Sequence, residues 1–228
     1  YIAADNDLEK YALQDINEME KGLSAITGKH VKVTFMVDRV EGYTSADGDW
    51  TDTRRGIIES DTDKLSIASQ METVGEKNMG DGQTLTDFIS WSKTVAAADN
   101  YALVIWDHGG GISGVAWDET DNDDNLNINE IAQSIQASGV SKDDMLMVGF
   151  DTCLQGVVDQ AYSLKDLTGL VVASEELEPG NGWDYTGWFT QLGKATGTKI
   201  DAATLAQTAV DSFMASYQNS GLNVSLSS

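Results

Sequence analysis

Two uninterrupted apolar runs, YALVIW at 101–106 and MLMVGF at 145–150, constrain this chain more than any other feature. Each is too short for a surface helix and too continuous in its apolarity for a strand with one wet face, so each predicts a strand covered on both sides. Between them NINEIAQSIQASG predicts a helix, opened by Asn127 and Glu130 as a capping box and stopped by Gly139. After the second run, CLQGVVDQAYSLKD predicts a helix starting at Cys153, and LTGLVVASEE a third strand. Strand, helix, strand, helix, strand specifies a parallel sheet with right-handed crossovers, hence an α/β fold.

The flanks extend the pattern. YIAA reads as the tail of a strand, and residues 7–26 as a helix with Leu8, Tyr11, Ala12, Ile16, Met19 and Leu23 on one face and Gly28 as its stop. Val31 to Val37 alternates with period two, GIIESD suggests a short strand, and QTLTDFISWSKTVAAA a helix capped by Thr84 with Asp87 three residues on. Residues 201–217 predict a late helix, and GLNVSLSS a strand beginning. No repeat or linker divides the chain, so residues 1–228 are expected to form a single domain, with both ends looking cut.

Charge narrows the partners. With 14 Lys and Arg against 37 Asp and Glu the net charge is −23, which argues against nucleic acid and anionic membranes. No apolar run approaches the roughly 20 residues that a membrane-spanning helix needs, and the opening residues carry no signal-peptide pattern, as expected of an end that looks cut. One cysteine, Cys153, excludes an internal disulfide. A monomer is expected.

The chemistry sits beyond the two apolar runs, where open parallel sheets collect functional residues. DHGGG follows the first run and DTC the second, so His108 and Cys153 are expected to project into one crevice. A thiolate nucleophile needs a group that handles protons near neutrality, and imidazole is that group. Gly109, Gly110 and Gly111 let the main chain approach a substrate, and the N–H groups of Gly109 and Cys153 are the candidate oxyanion donors. A helix starting at Cys153 would add a positive dipole end that lowers the thiol pKa.

YIAADNDLE, NMGDGQTLTDFISW, YALVIWDHGGG, DTCLQGVVDQAYSLKD and ASEELEPGNGWDY, in order from residue 1 to about 188, together resemble the clostripain family of cysteine peptidases. The interval between His108 and Cys153 is also close to the roughly 50 residues separating the caspase histidine from its cysteine. The resemblance implies a three-layer caspase-like sandwich, its mostly parallel central sheet covered by helices on both faces. It implies cleavage after Arg or Lys by a Cys153–His108 dyad in a secreted or cell-envelope bacterial protein that requires no cofactor. It also implies that Asp151 holds the substrate's basic side chain, with Ser174, Glu176 and Asp184 as further pocket candidates. A carboxylate suits that role because it pairs with a planar guanidinium. Where the family often has Trp and Met, this chain has Ile112 and Gln155, which should alter pocket shape alone.

Calcium is a further candidate ligand, since some relatives of this family depend on it. The oxygen-rich stretch DETDNDDNLNINE offers Asp121, Asp123 and Asp124, although Leu126 and Ala132 stand where an EF-hand needs Gly and Glu. His30 reads as a surface residue, and the six tryptophans as packing residues. Lys142 is the only basic residue from 109 to 152 and lies just before a strand, so the chain is expected to stay uncut between His108 and Cys153. The competing reading is a catalytically silent relative that binds a basic partner through its acidic surface.

Overall fold

The computed structural model describes residues 1–28, 31–62, 66–195 and 199–218. A seven-stranded sheet runs in the order β4-β3-β2-β1-β5-β8-β9. Its strands are β1 (Ile2–Ala4), β2 (Thr34–Arg39), β3 (Arg54–Ile57), β4 (Met71–Thr73), β5 (Tyr101–Trp106), β8 (Met145–Asp151) and β9 (Leu170–Val172). The five from β2 to β9 are mutually parallel, and β3 and β4 extend that sheet antiparallel. A separate hairpin, β6 (Val115–Asp118) and β7 (Asp124–Leu126), rises from the loop after β5.

Helices cover both faces, as the two apolar runs require. On one face α2 (Gly82–Val95), α3 (Ile128–Ala137) and α4 (Val158–Leu164) bring Leu85, Phe88, Ile131, Ile135 and Leu164 against Leu103, Ile105, Val148 and Phe150. On the other, α1 (Glu9–Leu23), α5 (Tyr185–Lys194) and α6 (Ala202–Tyr217) bring Ile16, Met19, Trp188, Phe189 and Leu205 against Val104, Trp106 and Met147. Successive strand side chains point to opposite faces, so each apolar run feeds both cores. Truncating one such side chain to Ala costs about 2–5 kcal/mol.

Several local expectations are met at the residue level. Asn127 and Glu130 form the capping box, Gly139 has φ +69°, and the late helix read over 201–217 is α6, which Asp201 caps. Others are corrected. Asp81, not Thr84, caps α2, because Asp81 lies in extended backbone and accepts from the Gln83 N–H while Thr84 is already buried inside the helix. The helix expected at Cys153 begins only at Val158. Leu154 has φ +60°, and the N–H groups of Leu154 and Gly156 bond the carbonyls of Glu176 and Ser174, so 153–157 is committed to a neighbouring segment. His30 and the strand expected near 222–227 lie outside the described residues.

One polar element is fully sequestered. Arg39, at the end of β2, bonds Glu9 at the start of α1 at 2.6 Å, with both side chains fully buried. The guanidinium also donates to the carbonyls of Gly48 and Thr44 and stacks on Trp50 at 4.3 Å. This pair fixes where α1 enters beside the sheet.

Candidate active site

The sheet register positions the site. Trp106 pairs with Asp151, and the Asp107 N–H donates to the Asp151 carbonyl at 3.4 Å. His108 and Cys153 therefore follow equivalent points on adjacent parallel strands, which run about 4.8 Å apart. The two loops touch directly: a Cβ on Gly109 would fall 2.0 Å from the Cys153 carbonyl oxygen and 2.9 Å from Thr152 Oγ1. Only glycine fits there. The two N–H groups expected to hold an oxyanion thus belong to loops packed one on the other.

The His108 side chain is half-exposed, and its Nε2 lies 2.7 Å from Asp7 Oδ1. Asp7 follows β1, the strand beside β5, so the topology delivers a carboxylate that orients the ring. Beneath it, Asp107 is buried; it accepts from Asn6 Nδ2 at 2.7 Å and from the Trp117 N–H at 2.6 Å. Burial raises the Asp107 pKa well above the usual range, and these donors oppose that rise. The Asn6–Asp107–Trp117 bonds are the strut under the histidine loop.

Cys153 is half-buried, and its Sγ accepts from the Glu178 N–H at 3.3 Å. Since α4 starts at Val158, the helix N-terminus expected at Cys153 lies five residues further along the chain. Gln155, buried beside it, donates through Nε2 to the carbonyls of Gly111 at 3.2 Å and Gly114 at 2.9 Å. It ties the cysteine loop to the glycine loop. Ile112 is 71% exposed.

Asp151 is placed differently from the open carboxylate that the resemblance implied. It is 3% exposed, accepts from the Trp183 N–H at 3.0 Å and from Tyr185 Oη at 2.8 Å, and lies beneath Gly182, which has φ +57°. The Glu178 carboxyl hydrogen-bonds Asp151, an arrangement that needs one proton between them, while Glu178 Oε2 meets no N–H or O–H donor. Burial pushes Asp151 up to about 6, against the hydrogen bonds from Tyr185 and Trp183, and burial together with the Asp151 charge pushes Glu178 up to about 10. The 178–185 segment thus closes over an acidic floor.

The remaining pocket candidates serve the loop itself. Ser174 Oγ donates to the Glu176 carbonyl and accepts from the Glu176 N–H, and the exposed Glu176 contributes its carbonyl to Leu154. Asp184 caps α5 by accepting from the Gly187 N–H at 2.7 Å. These bonds engage the three side chains within their own segments, whereas Glu178, absent from the sequence-based set, faces Asp151. Asp121, Asp123 and Asp124 do not gather into one ligand set either; Asp124, in β7, accepts from Asn78 Nδ2 at 2.7 Å. Among the described residues, the group of more than two acids whose carboxylate oxygens come together is Asp5, Asp38, Glu76 and Asp118. Lys142 sits in an exposed turn at 141–144, not in the sheltered position expected of it.

This arrangement can be compared with known proteins. The model of the clostripain family matches residues 1–228. The chain belongs to the clostripain family. Clostripain from Hathewaya histolytica is 29% identical over 227 residues, covering 87% of this chain and 42% of that protein. A secreted cysteine protease from Bacteroides thetaiotaomicron, solved with an irreversible peptide inhibitor, is 20% identical with a TM-score of 0.74, covering 99% of this chain and 60% of that one. An inactive zymogen protease from Parabacteroides distasonis is 19% identical with a TM-score of 0.72, covering 96% and 57%. The chain therefore spans less than two thirds of the relatives it matches, and it shares with the solved family structures the caspase-like α/β fold expected from its motifs.

Proposed function

We propose that this chain is the catalytic segment of a cysteine endopeptidase that cuts after Arg or Lys. The observation that carries the reading is the β5–β8 register, which brings His108 and Cys153 to equivalent positions with Gly109 packed on the Cys153 carbonyl. Cys153 attacks the scissile carbonyl, and His108, steadied by Asp7, takes the thiol proton and returns it to the leaving amine. The N–H groups of Gly109 and Cys153 receive the oxyanion.

Asp151 is the acceptor for the basic side chain, and Glu178 joins it. Both are covered by 178–185, so engagement of a guanidinium requires that segment to open and release the Trp183 and Tyr185 bonds. An incoming cation then displaces the proton shared by the two acids. As in its secreted relative, the protein acts outside the cytoplasm or at the cell envelope; among the described residues no helix is long and apolar enough to cross a membrane. The only basic residue between the two catalytic loops, Lys142, is exposed, which makes the Lys142–Asp143 bond a site open to this specificity.

A thiol-directed probe carrying arginine tests the reading on the full-length protein. The expected result is one probe per chain, attached at Cys153, abolished in Cys153→Ala and outcompeting an equivalent glutamate probe at least tenfold. Absence of labelling in folded, full-length protein refutes the peptidase and favours the silent binder. Equal labelling by the two probes refutes the role of Asp151.

A further inference from the structure

We propose that the open groove lined by Ile112, Ile128, Val158 and Tyr162 receives the part of the peptide substrate that follows the scissile bond, and favours apolar side chains there. The groove has a volume of about 760 Å³, and Asn127 and Asp159 add polar groups to its lining. Its walls are the turn Gly111–Ser113 after His108, the start of α3 and one face of α4, on which residues 158 and 162 are one helical turn apart. Val158 is 79% exposed, Ile112 71% and Tyr162 68%. Among the described residues six large apolar side chains are exposed, and three of them meet in this one groove. Singly scattered apolar residues need no explanation, whereas a gathered set in a concavity marks a binding surface.

Continuity with the catalytic loops identifies the occupant. Ile112 is the third residue after Gly109, whose N–H is assigned to the oxyanion, and Val158 is the fifth after Cys153. The two walls are joined at that point: a Cβ on Gly111 would lie 3.8 Å from Val157 Cγ1, and Gln155 Nε2 donates to the Gly111 carbonyl at 3.2 Å. A chain spans at most about 3.3–3.6 Å per residue, so Ile112 lies within roughly 11 Å of Gly109. An extended substrate advances about 3.3 Å per residue, which brings its second to fourth residues beyond the cut to the groove.

The two layers of the fold give the direction. The Asp151 side chain turns toward Trp183 and Tyr185, in the core beneath α5, whereas Val158 and Tyr162 ride on α4, which covers the opposite face of the sheet. A peptide anchored by its basic side chain at Asp151 and by its following residues in the groove has Cys153 between the two anchors. His108 returns its proton to the leaving amine, and Ile112 belongs to the same loop, so the departing half of the substrate leaves across Ile112. The inference rests on the peptidase reading.

Three substrates, tested on the full-length protein, decide it. One is an arginine aminomethylcoumarin amide, which has no residue beyond the cut. The other two are internally quenched peptides identical up to arginine, one with leucine and one with serine at the second to fourth positions beyond it. Wild type is expected to cleave the leucine peptide with kcat/KM at least tenfold above the serine peptide, a modest discrimination for apolar recognition. Val158→Ser with Tyr162→Gln changes two exposed side chains outside the catalytic loops. That variant is expected to bring the ratio below threefold while coumarin turnover stays within twofold of wild type. A wild-type ratio below tenfold overturns the proposal, as does a ratio above threefold in the double variant. Equal losses on all three substrates also overturn it, because the two side chains would then act on the fold or the chemistry. A wild-type dimer in light scattering that the double variant dissociates, with the ratio unmoved, gives the groove to a second copy and overturns it too. Absence of coumarin turnover by wild type refutes the peptidase reading itself, so the two failures are told apart.

Discussion

Gly109→Ala tests the packing of the two catalytic loops at one atom. The added methyl carbon would sit 2.0 Å from the Cys153 carbonyl oxygen, 2.9 Å from the Cys153 carbonyl carbon and 2.9 Å from Thr152 Oγ1. Real Cβ atoms essentially never come closer than 3.0 Å to such neighbours. The histidine and cysteine loops must therefore part by about 1 Å, and displacement on that scale costs catalysis roughly a hundredfold. Overpacking of this kind also costs about 1–3 kcal/mol of stability, or roughly 2–10 °C in melting temperature for a chain of this size. The assay is kcat/KM on a fluorogenic arginine peptide, alongside melting temperature and the rate of iodoacetamide alkylation of Cys153. The expected pattern is a large loss of turnover in a folded protein whose thiol still alkylates. Turnover within threefold of wild type would show that these loops are not in contact during catalysis, and the geometric argument for the site would fall with it.

Two further expectations concern buried charge. Glu9→Ala leaves the Arg39 guanidinium buried without its carboxylate and should destabilise the protein by about 3–5 kcal/mol, measured by urea unfolding, whereas Glu9→Leu with Arg39→Met should recover most of that loss. A loss below 1 kcal/mol for Glu9→Ala would mean that the pair is solvated. The Asp151–Glu178 pair makes a pH prediction: both acids bind protons more tightly folded than unfolded, so their contribution is complete below about pH 4 and is lost as pH rises through about 6 and then about 10. Melting temperature should decline between pH 5 and pH 9 more steeply in wild type than in Glu178→Gln with Asp151→Asn; parallel profiles would remove the pair from the account.

The sequence was most legible where local chemistry and burial agree. YALVIW and MLMVGF can satisfy their apolar side chains only between two layers, and Asn127 and Glu130 close a capping box within four residues, so neither needs tertiary information. The side-by-side placement of His108 and Cys153 was legible because each follows such a strand by two residues. What escaped was set by distant partners. The helix expected at Cys153 gave way to bonds from 154 and 156 to 174–176 that no local pattern announces. Strands β4, β6 and β7 are only three or four residues long, whereas α5 carried a readable signal, Tyr185, Trp188, Phe189 and Leu192 at helical spacing, that went unused; Asp81 outcompeted Thr84 because the cap depends on where the extended backbone ends. Asp7, Glu178 and the Asp5–Asp38–Glu76–Asp118 set lie far apart in the chain, and strand order alone makes them neighbours.

The ladder between β5 and β8 separates the continuity of the chain from the integrity of the site. Tyr101 through Trp106 is zipped to Met145 through Asp151, and Gln155 clasps the turn at Gly111 and Gly114 from the other side of the interval. The exposed Lys142–Asp143 bond lies just before that zipper, whose first rung is the Tyr101 N–H to the Asp144 carbonyl at 2.7 Å. A nick there would change the mass of the pieces on a denaturing gel while the folded body kept its size, because sheet pairing and two buried cores hold histidine and cysteine halves together. In this architecture a severed backbone is a freed tether, not a lost subunit.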